Sequence, residues 1–323
     1  MKTIWFLFFT LLYLHPTVAQ QDFTKKIQAQ SGQTLKMQLS SGASVNIYTW
    51  PEQSVEAQIK IIKCQGGECE VSLEATEYGA LLKSQVDHRA GSSTSTSIKI
   101  DVWLPNDFDV EITSAGGAIT ATGLNGSLTG RCGGGNLKIN DMNGKVAFNT
   151  GGGAITIDRG HLQASLATGG GNIEINNAYV KGKLSTGGGN IKASGIYIFS
   201  PGDNEPSKGI LSMSTGAGSI QVGMAHDSNP ETMDMQLNTG SGKVTVEIPN
   251  TMDPMVDIEM AYTRKFLRQE IKSDIVLETE ETQQWDARYG TPRRYVYGKS
   301  VAGNQGQSIT IRNINGDVVI RKY

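Results

Sequence analysis

The chain has 323 residues, and its 29 Lys and Arg residues against 31 Asp and Glu residues give a formal net charge of -2 at pH 7. This balance argues against a nucleic acid or an anionic membrane as the partner, because both attract strongly basic proteins. The 39 glycines are concentrated in the middle of the chain, which predicts repeated backbone positions that require glycine.

Residues 1–19 have the features of a secretory signal peptide. Lys2 precedes an apolar stretch from Ile4 to Tyr13, and the small residue Ala19 stands at the expected cleavage site. The stretch is much shorter than the roughly 20 residues that span a bilayer, so a retained anchor is the weaker alternative. No cysteine stands at the cleavage point. We therefore expect an exported protein that is not lipid-anchored and has no transmembrane segment after cleavage.

Residues 20–112 contain short stretches of alternating polarity separated by turn residues, which predicts an N-terminal β-rich cap region. Such a region would cover strand edges that the next part of the chain exposes. Within it, Cys64 and Cys69 are separated by a pair of glycines that permits a tight turn. In an oxidising compartment the two cysteines could form a disulfide, or they could remain free thiols.

Residues 113–261 repeat a glycine-rich triplet at a fixed interval of 18 residues. The triplets begin at Ala115, Gly133, Gly151, Gly169 and Gly187. Apolar residues recur at the second and fourth positions after each triplet, with polar residues between them, as in a strand with one buried face. A fixed period of this kind predicts the stacked coils of a parallel β-solenoid, with neighbouring strands about 4.8 Å apart.

Three positions of the repeat carry further expectations. Cys132 stands where Thr150 and its equivalents stand, so we expect a structural thiol. The aligned residues Asn140, Asp158 and Asn176 are expected to take left-handed corner conformations. The triplet glycines are expected to need positive φ or close contact between coils, so that Gly170 should not accept valine.

Beyond Gly187 the triplets are farther apart, and the additional residues form polar, proline-containing stretches. These stretches, Phe199 to Gly209 and Met224 to Thr232, follow equivalent strands. Insertions at equivalent places in stacked coils lie on the same edge, so they predict one exposed edge that could serve as a binding surface.

Residues 262–323 lose the glycine pattern until the final strand-turn-strand sequence, which predicts a last β-coil. The intervening segment WDARYGTPRRYVYG gathers residue types that dominate binding hot spots. We therefore predict a partner-binding patch formed by Trp285, Arg288, Tyr289, Arg293, Arg294 and Tyr295. The competing interpretation is that these side chains cover the last coil of the stack.

The strand that ends in proline within DVWLPNDFDVEITSAGG, the repeated TGGGNI units and the terminal NGDVVI together resemble a bacterial family of exported β-solenoid proteins of unknown function, the putative adhesins. The resemblance extends from Phe23 to the C-terminus. It implies an all-β parallel β-helix and a role in surface binding, and it implies no active site.

The chemistry of other repeat proteins does not fit. The calcium-binding nonapeptide requires a Gly and an Asp where this chain has Asn172 and Glu174. The outward column that contains Glu174 offers a single acid, whereas glycosidases need paired carboxyl groups. His88, His161 and His226 occupy no shared column, so no metal site is predicted.

We therefore expect a noncatalytic binding or adhesion module without a cofactor, whose partner is an unknown glycan or protein at the cell envelope. A structural, envelope-associated spacer protein is the first alternative. A polysaccharide-acting β-helix enzyme is the less favoured one.

Overall fold

The computed structural model describes residues 21–40, 42–65, 67–88, 95–198, 209–228, 232–266, 269–288 and 290–323. Within these ranges the chain forms 24 strands of one hydrogen-bonded sheet and no helix. The all-β prediction is confirmed. The predicted signal peptide, residues 1–19, lies outside the described residues, as do positions 199–208 and 229–231 of the two predicted loops.

The strands have the following bounds. The N-terminal region contains β1 (Gln21–Gln28), β2 (Thr34–Leu39), β3 (Ala43–Trp50), β4 (Ser54–Gln65), β5 (Gly67–Thr76), β6 (Gly79–His88), β7 (Ser95–Pro105) and β8 (Asp109–Ser114). The middle contains β9 (Ile119–Thr122), β10 (Asn125–Cys132), β11 (Leu137–Thr150), β12 (Ile155–Thr168), β13 (Ile173–Thr186), β14 (Ile191–Ile196), β15 (Gly209–Thr215), β16 (Ile220–Met224), β17 (Met233–Thr239) and β18 (Val244–Ile248). The C-terminal region contains β19 (Pro254–Thr263), β20 (Ile271–Ser273), β21 (Leu277–Glu281), β22 (Arg293–Ser300), β23 (Asn304–Ile314) and β24 (Val318–Lys322).

Parallel pairing in the middle of the chain follows the spacing of the sequence repeat. Leu137 pairs with Ile155, and Ile155 pairs with Ile173, so each partner lies 18 residues along the chain. All three side chains are at most 1% exposed. The polar residues between them, such as Lys138, face outward. The alternation of apolar and polar residues therefore sets both the strand faces and the register.

The parallel strands form two rows. The first row contains the strands that follow the triplets, in the spatial order β7, β3, β9, β11, β12, β13, β14, β16, β18, β24, β20. The second row contains the strands that precede the triplets, in the order β6, β2, β8, β10, β11, β12, β13, β15, β17, β23, β19. The 14-residue strands β11, β12 and β13 belong to both rows.

A pair of strands near each end of the described chain is inserted into the stack. The pair β2–β3 lies between β6–β7 and β8–β9. The pair β23–β24 lies between β17–β18 and β19–β20. The C-terminal strands, predicted as a last coil, are therefore last in the chain and not last in space.

Antiparallel strands occupy the outer positions of the rows. At the N-terminal side β4 pairs with β7, β1 pairs with β4, and β5 pairs with β6. At the C-terminal side β22 pairs with β19, and β21 pairs with β22. These additions cover the outer edges of β7, β6 and β19, which would otherwise expose unpaired backbone groups, whereas β20 pairs among the described strands with β24 alone. Hydrogen bonding is continuous across residues 112–113 and 261–262, where the sequence predicts domain boundaries.

The triplet glycines are required where consecutive triplets touch. A Cβ atom on Gly171 would lie 2.1 Å from the carbonyl oxygen of Gly153, and one on Gly169 would lie 2.1 Å from that of Gly151. Real side chains essentially never approach backbone so closely. The middle glycine, Gly170, has open space and no left-handed φ. The expectation that Gly170 excludes valine is wrong, because the contact involves its two neighbours.

The left-handed corner residues follow the predicted ones by one position. Asp141, Arg159 and Asn177 have φ values of 52°, 62° and 52°. The expectation for Asn140, Asp158 and Asn176 is therefore wrong by one residue, since these three still belong to the strands of the first row. Arg159 binds Asp141 at 2.7 Å, which ties two successive corners together.

A buried hydroxyl joins each triplet to the preceding one. Thr168 Oγ1 donates to the Gly153 carbonyl at 2.8 Å and accepts from the Gly171 N–H at 3.1 Å. The carbonyl bond is repeated by Thr150, Thr186, Thr215 and Thr239. At the equivalent position the Cys132 sulfur accepts from the Gly135 N–H at 3.2 Å. The buried Cys132 thus takes the structural place of a threonine.

Cys64 and Cys69 are joined in a disulfide that links the end of β4 to the start of β5. β4 pairs with β7 of the first row, and β5 pairs with β6 of the second row, so the bond joins strands attached to different rows. In this arrangement it ties the outer strands of the N-terminal region to each other.

We predict that Gly171→Ala destabilises the fold and that Gly170→Ala does not. The Cβ of the first variant would meet the Gly153 carbonyl, which costs about 1–3 kcal/mol or more, whereas the second falls within about 0.5 kcal/mol of the parent. Urea denaturation of both variants measures the difference. Equal effects would show that the close contact between triplets is not what selects glycine.

We also predict that Thr168→Val lowers the free energy of unfolding by about 1–3 kcal/mol, because it leaves a buried carbonyl and a buried N–H without their partner. Thr156→Val, on the outward face of the same strand, is the matched control and should change stability little. Thermal melting checks both. A loss no larger for Thr168 than for Thr156 would contradict a stabilising role for the hydroxyl.

Candidate functional site

Equivalent outward positions at the corner between the two rows carry amide side chains in one part of the stack and aromatic side chains in the next. Asn125 pairs with Asn143, which pairs with His161, then Tyr179, then Tyr197. Each residue lies 18 positions after the preceding one. The register that stacks the strands therefore also aligns these side chains.

His161, Tyr179 and Tyr197 form a continuous stack, here called the aromatic ladder. The ring centres of His161 and Tyr179 are 4.3 Å apart, and those of Tyr179 and Tyr197 are 4.4 Å apart. Adjacent strands lie about 4.8 Å apart, so the strand spacing itself brings the rings into contact. Because the rings cover one another's faces, a ligand beside the ladder meets their rims.

Hydrogen bonds hold both ends of this column. The Tyr197 hydroxyl donates to Asp227, and this bond raises the pKa of Tyr197 to about 12. The tyrosine is therefore neutral at physiological pH. At the other end the Asn125 amide donates to Asp107 at 2.5 Å. The side chains of the column are fixed before any ligand arrives.

A groove of about 680 Å³ runs beside the column and across the strands. We call it the ladder groove. Its lining comprises Asp109, Asn125, Gly126, Ser127, Asn143, Gly144, Lys145, His161, Leu162, Gln163, Tyr179, Val180, Lys181 and Ile198. It combines amide and hydroxyl groups, aromatic rims, short apolar stretches and two lysines, and this mixture is typical of sites for polar ligands.

The groove is poorly equipped for hydrolysis. Of the described residues that line it, Asp109 alone carries a carboxylate, and its Oδ1 accepts from the Ser127 N–H at 2.6 Å. Glycoside hydrolysis requires a pair of carboxyl groups on either side of the scissile bond. The single carboxylate of the groove lining does not form such a pair.

The sequence prediction missed this groove, although the repeat contained the signal. His161 shares its repeat position with no other histidine. Extending the 18-residue alignment through the corner places Tyr179 and Tyr197 directly after it. An aligned column of aromatic residues on an outward position is the pattern that identifies the site.

The predicted patch around Trp285 is only partly exposed. Trp285 is half-buried, packs against the hydrophobic core, and meets the ring edge of Tyr262 at 5.8 Å between centres. The guanidinium groups of Arg264 and Arg294 each lie 5.1 Å from its ring centre. This arrangement stabilises the segment by cation–π contacts and leaves little of the ring free.

The other predicted residues lie around two neighbouring cavities. Arg288 is exposed and binds Asp286 at 2.6 Å, and it lines a cavity of about 780 Å³ together with Trp285 and Tyr295. Arg293 lines a second cavity of about 480 Å³, also beside Tyr295. Tyr289 lies outside the described residues. The structure brings the remaining five together, and their role in binding stays a prediction.

Two further properties concern the described ranges only. No group of three or more His, Cys, Asp or Glu side chains among them could hold a metal ion. Nor do these ranges contain a helix that could serve as a membrane span.

Comparison with known proteins gives distant matches. The profile of a family described as a domain of unknown function, DUF7330, matches residues 181–322. A search of curated proteins finds no match. A structure of a putative cell adhesion protein from Clostridium sporogenes is 10% identical, covers 94% of this chain and 100% of its own, and has a TM-score of 0.26. A structure of a putative adhesin from Bacteroides fragilis is 10% identical, covers 93% of this chain and 97% of its own, and has a TM-score of 0.42.

We predict that Trp285→Ala destabilises the protein while Arg288→Ala does not. Removal of a half-buried indole with two cation–π contacts should cost about 2 kcal/mol, roughly half the value for a fully buried tryptophan. Arg288 forms an exposed ion pair, which contributes little. Urea denaturation of the two variants measures this difference, and an unchanged midpoint for Trp285→Ala would show that the indole is not part of the packing.

Proposed function

We propose that the chain is a noncatalytic, exported binding or adhesion module whose ladder groove holds an extended glycan. In this proposal the middle of the chain, residues 113–261, is a parallel β-solenoid with 18-residue coils. Residues 20–112 form its N-terminal cap, residues 262–323 complete its other end, and residues 1–19 direct export.

The observation that carries the proposal is the aligned outward column beside an open groove. A polymer lying across the strands meets a new unit about every 4.8 Å, so similar contacts recur along its length. Asn125, Asn143 and Gln163 offer both donors and acceptors to sugar hydroxyls. The aromatic rims offer apolar contact to the ring C–H groups.

One feature favours binding over catalysis, and a second favours binding over a purely structural role. The groove lining lacks the second carboxylate that hydrolysis requires. A spacer protein needs only a solvated outer face, whereas this column places three aromatic rings on the outside of the strands. His161 is exposed, and Tyr179 and Tyr197 are half-buried, so the rims of the rings remain accessible to a ligand.

The experiment is a glycan array probed with the mature protein, followed by titration of each ligand with Tyr179→Ala. We expect Tyr179→Ala to weaken binding at least about 10-fold, a change that corresponds to about 1.4 kcal/mol. Tyr78→Ala, which removes a tyrosine that is 74% exposed elsewhere, is the control and should bind as the parent does. Melting temperatures establish that both variants are folded.

Ligands that bind the Tyr179→Ala variant as tightly as the parent would place the site elsewhere. The cavities beside Tyr295 are then the second candidate, because Arg293 lines one of them and its Nε is buried without a hydrogen-bond partner. In that case Arg293→Ala and Tyr295→Ala should weaken binding while the melting temperature changes little. If they lower the melting temperature and leave the affinity of folded molecules unchanged, the segment is a cap.

A further inference from the structure

The outward face of the second row is basic where it borders the ladder groove. This part of the face lies in β10, in the second halves of β11, β12 and β13, and in β15. Its outward residues are Ser127, Thr129, Arg131, Lys145, Ala147, Asn149, Gln163, Ser165, Ala167, Lys181, Lys183, Ser185, Ile210, Ser212 and Ser214. Four are cationic, and none of these described residues is acidic. The whole chain has more acidic than basic residues, so this strip reflects local segregation of charge. We call it the basic strip.

The lysines of the basic strip lie between two channels. Lys145, Gln163 and Lys181 pair in register on three adjacent strands and line the ladder groove. On their other side is a shallow channel of about 430 Å³, which also contacts Lys145 and Lys183. Its floor includes Ala147, Ser165 and Gly182, whose small size leaves the backbone accessible. One ligand could therefore contact the lysines from either channel.

Acidic residues near the strip are engaged by other groups. Arg159 binds Asp141 at 2.7 Å and also binds Asp158 at the same corner. Asp109, at the end of the ladder groove, accepts a backbone N–H. Glu111 and Asp234 border the strip beside Thr129 and Ile210; Lys36 binds Glu111 at 3.1 Å, and Asp234 accepts from the Gln236 amide at 3.4 Å. These contacts reduce the negative field that an anion bound at the lysines would experience.

Resting on the binding function proposed above, we propose that the ligand is a linear polysaccharide with carboxylate groups, bound across the strands by Lys145, Lys181 and Lys183. Lys145 and Lys181 stand two strands apart, a separation of about 10 Å. A sugar polymer with one carboxylate on every ring or every second ring has charges at comparable intervals. Duplex DNA has one charge per about 1.7 Å, a density that four cations on a net negative protein do not match.

The test compares oligogalacturonate and hyaluronan oligomers with their fully methyl-esterified forms, using calorimetry on the full mature chain. Esterification keeps the sugar backbone and removes the charge. We expect at least one charged oligomer to bind at least about 10-fold more tightly than its ester, and this preference to decrease at high salt.

The variants assign the preference to the strip. Lys145→Gln combined with Lys181→Gln should abolish the difference between acid and ester. Lys138→Gln combined with Lys192→Gln removes the same charge from the first row, where the two lysines share one repeat position and both side chains are exposed, and should keep the difference. All of these lysines are on the outside of strands, so the fold should tolerate the changes.

The outcomes separate this inference from the proposed function. Equal binding of acid and ester forms, lost together in Tyr179→Ala, would refute the acidic ligand and leave the groove as a glycan site. The same holds if only neutral glycans from the array bind and both acidic oligomers fail. The inference would also be refuted if the two pairs of lysine substitutions weakened binding equally, or if duplex DNA bound as tightly as the acidic oligomers. Either result would show a general attraction of polyanions. Failure of all glycans, neutral and acidic, would refute both proposals.

Discussion

The contact between consecutive glycine triplets is the constraint on which the rest of the structure depends. A carbonyl oxygen occupies the space in which the next triplet would otherwise carry a Cβ, as between Gly153 and Gly171. This close approach holds neighbouring strands in one register, and the Thr168 hydroxyl bonds to both partners of the contact. A shift of one residue along a strand would break the hydroxyl bonds and move buried isoleucines outward, because side chains alternate between faces.

Once the register is set, the outer surface becomes a lattice whose columns are free to vary. Inward columns must stay apolar, and triplet positions must stay small. Outward columns such as the one from Asn125 to Tyr197 meet no such demand, so they can carry amides in one part of the stack and aromatic rings in another. The candidate site therefore lies where packing leaves the sequence unconstrained, which is the usual relation between a scaffold and its function.

The parts of the structure that follow from short-range patterns were predictable. The period of the triplets and the alternation around Ile155 and Ile173 determine the pairing partners, because each partner has the same place in the repeat. Other features depend on residues distant in the sequence. The pair β23–β24 lies beside β19, although a long segment without the repeat separates β19 from β23 in the sequence. The burial of Trp285 depends on Arg264, which no local pattern connects with it. The Gly170 prediction failed because sequence spacing does not reveal which glycine of a triplet makes the contact.

The inserted position of β23–β24 affects how the chain completes its fold. A stack that grows in chain order would add each new strand pair to an exposed end. Here β23–β24 follows its neighbours in the sequence but lies between β17–β18 and β19–β20, so until it arrives those neighbours face an unfilled gap with exposed backbone edges on both sides. The final step then satisfies two edges at once, and it joins partners far apart in the chain, which makes it intrinsically slow. Before that step the molecule is open to strand exchange with another copy, and after it β23 and β24 each have a strand partner on both sides.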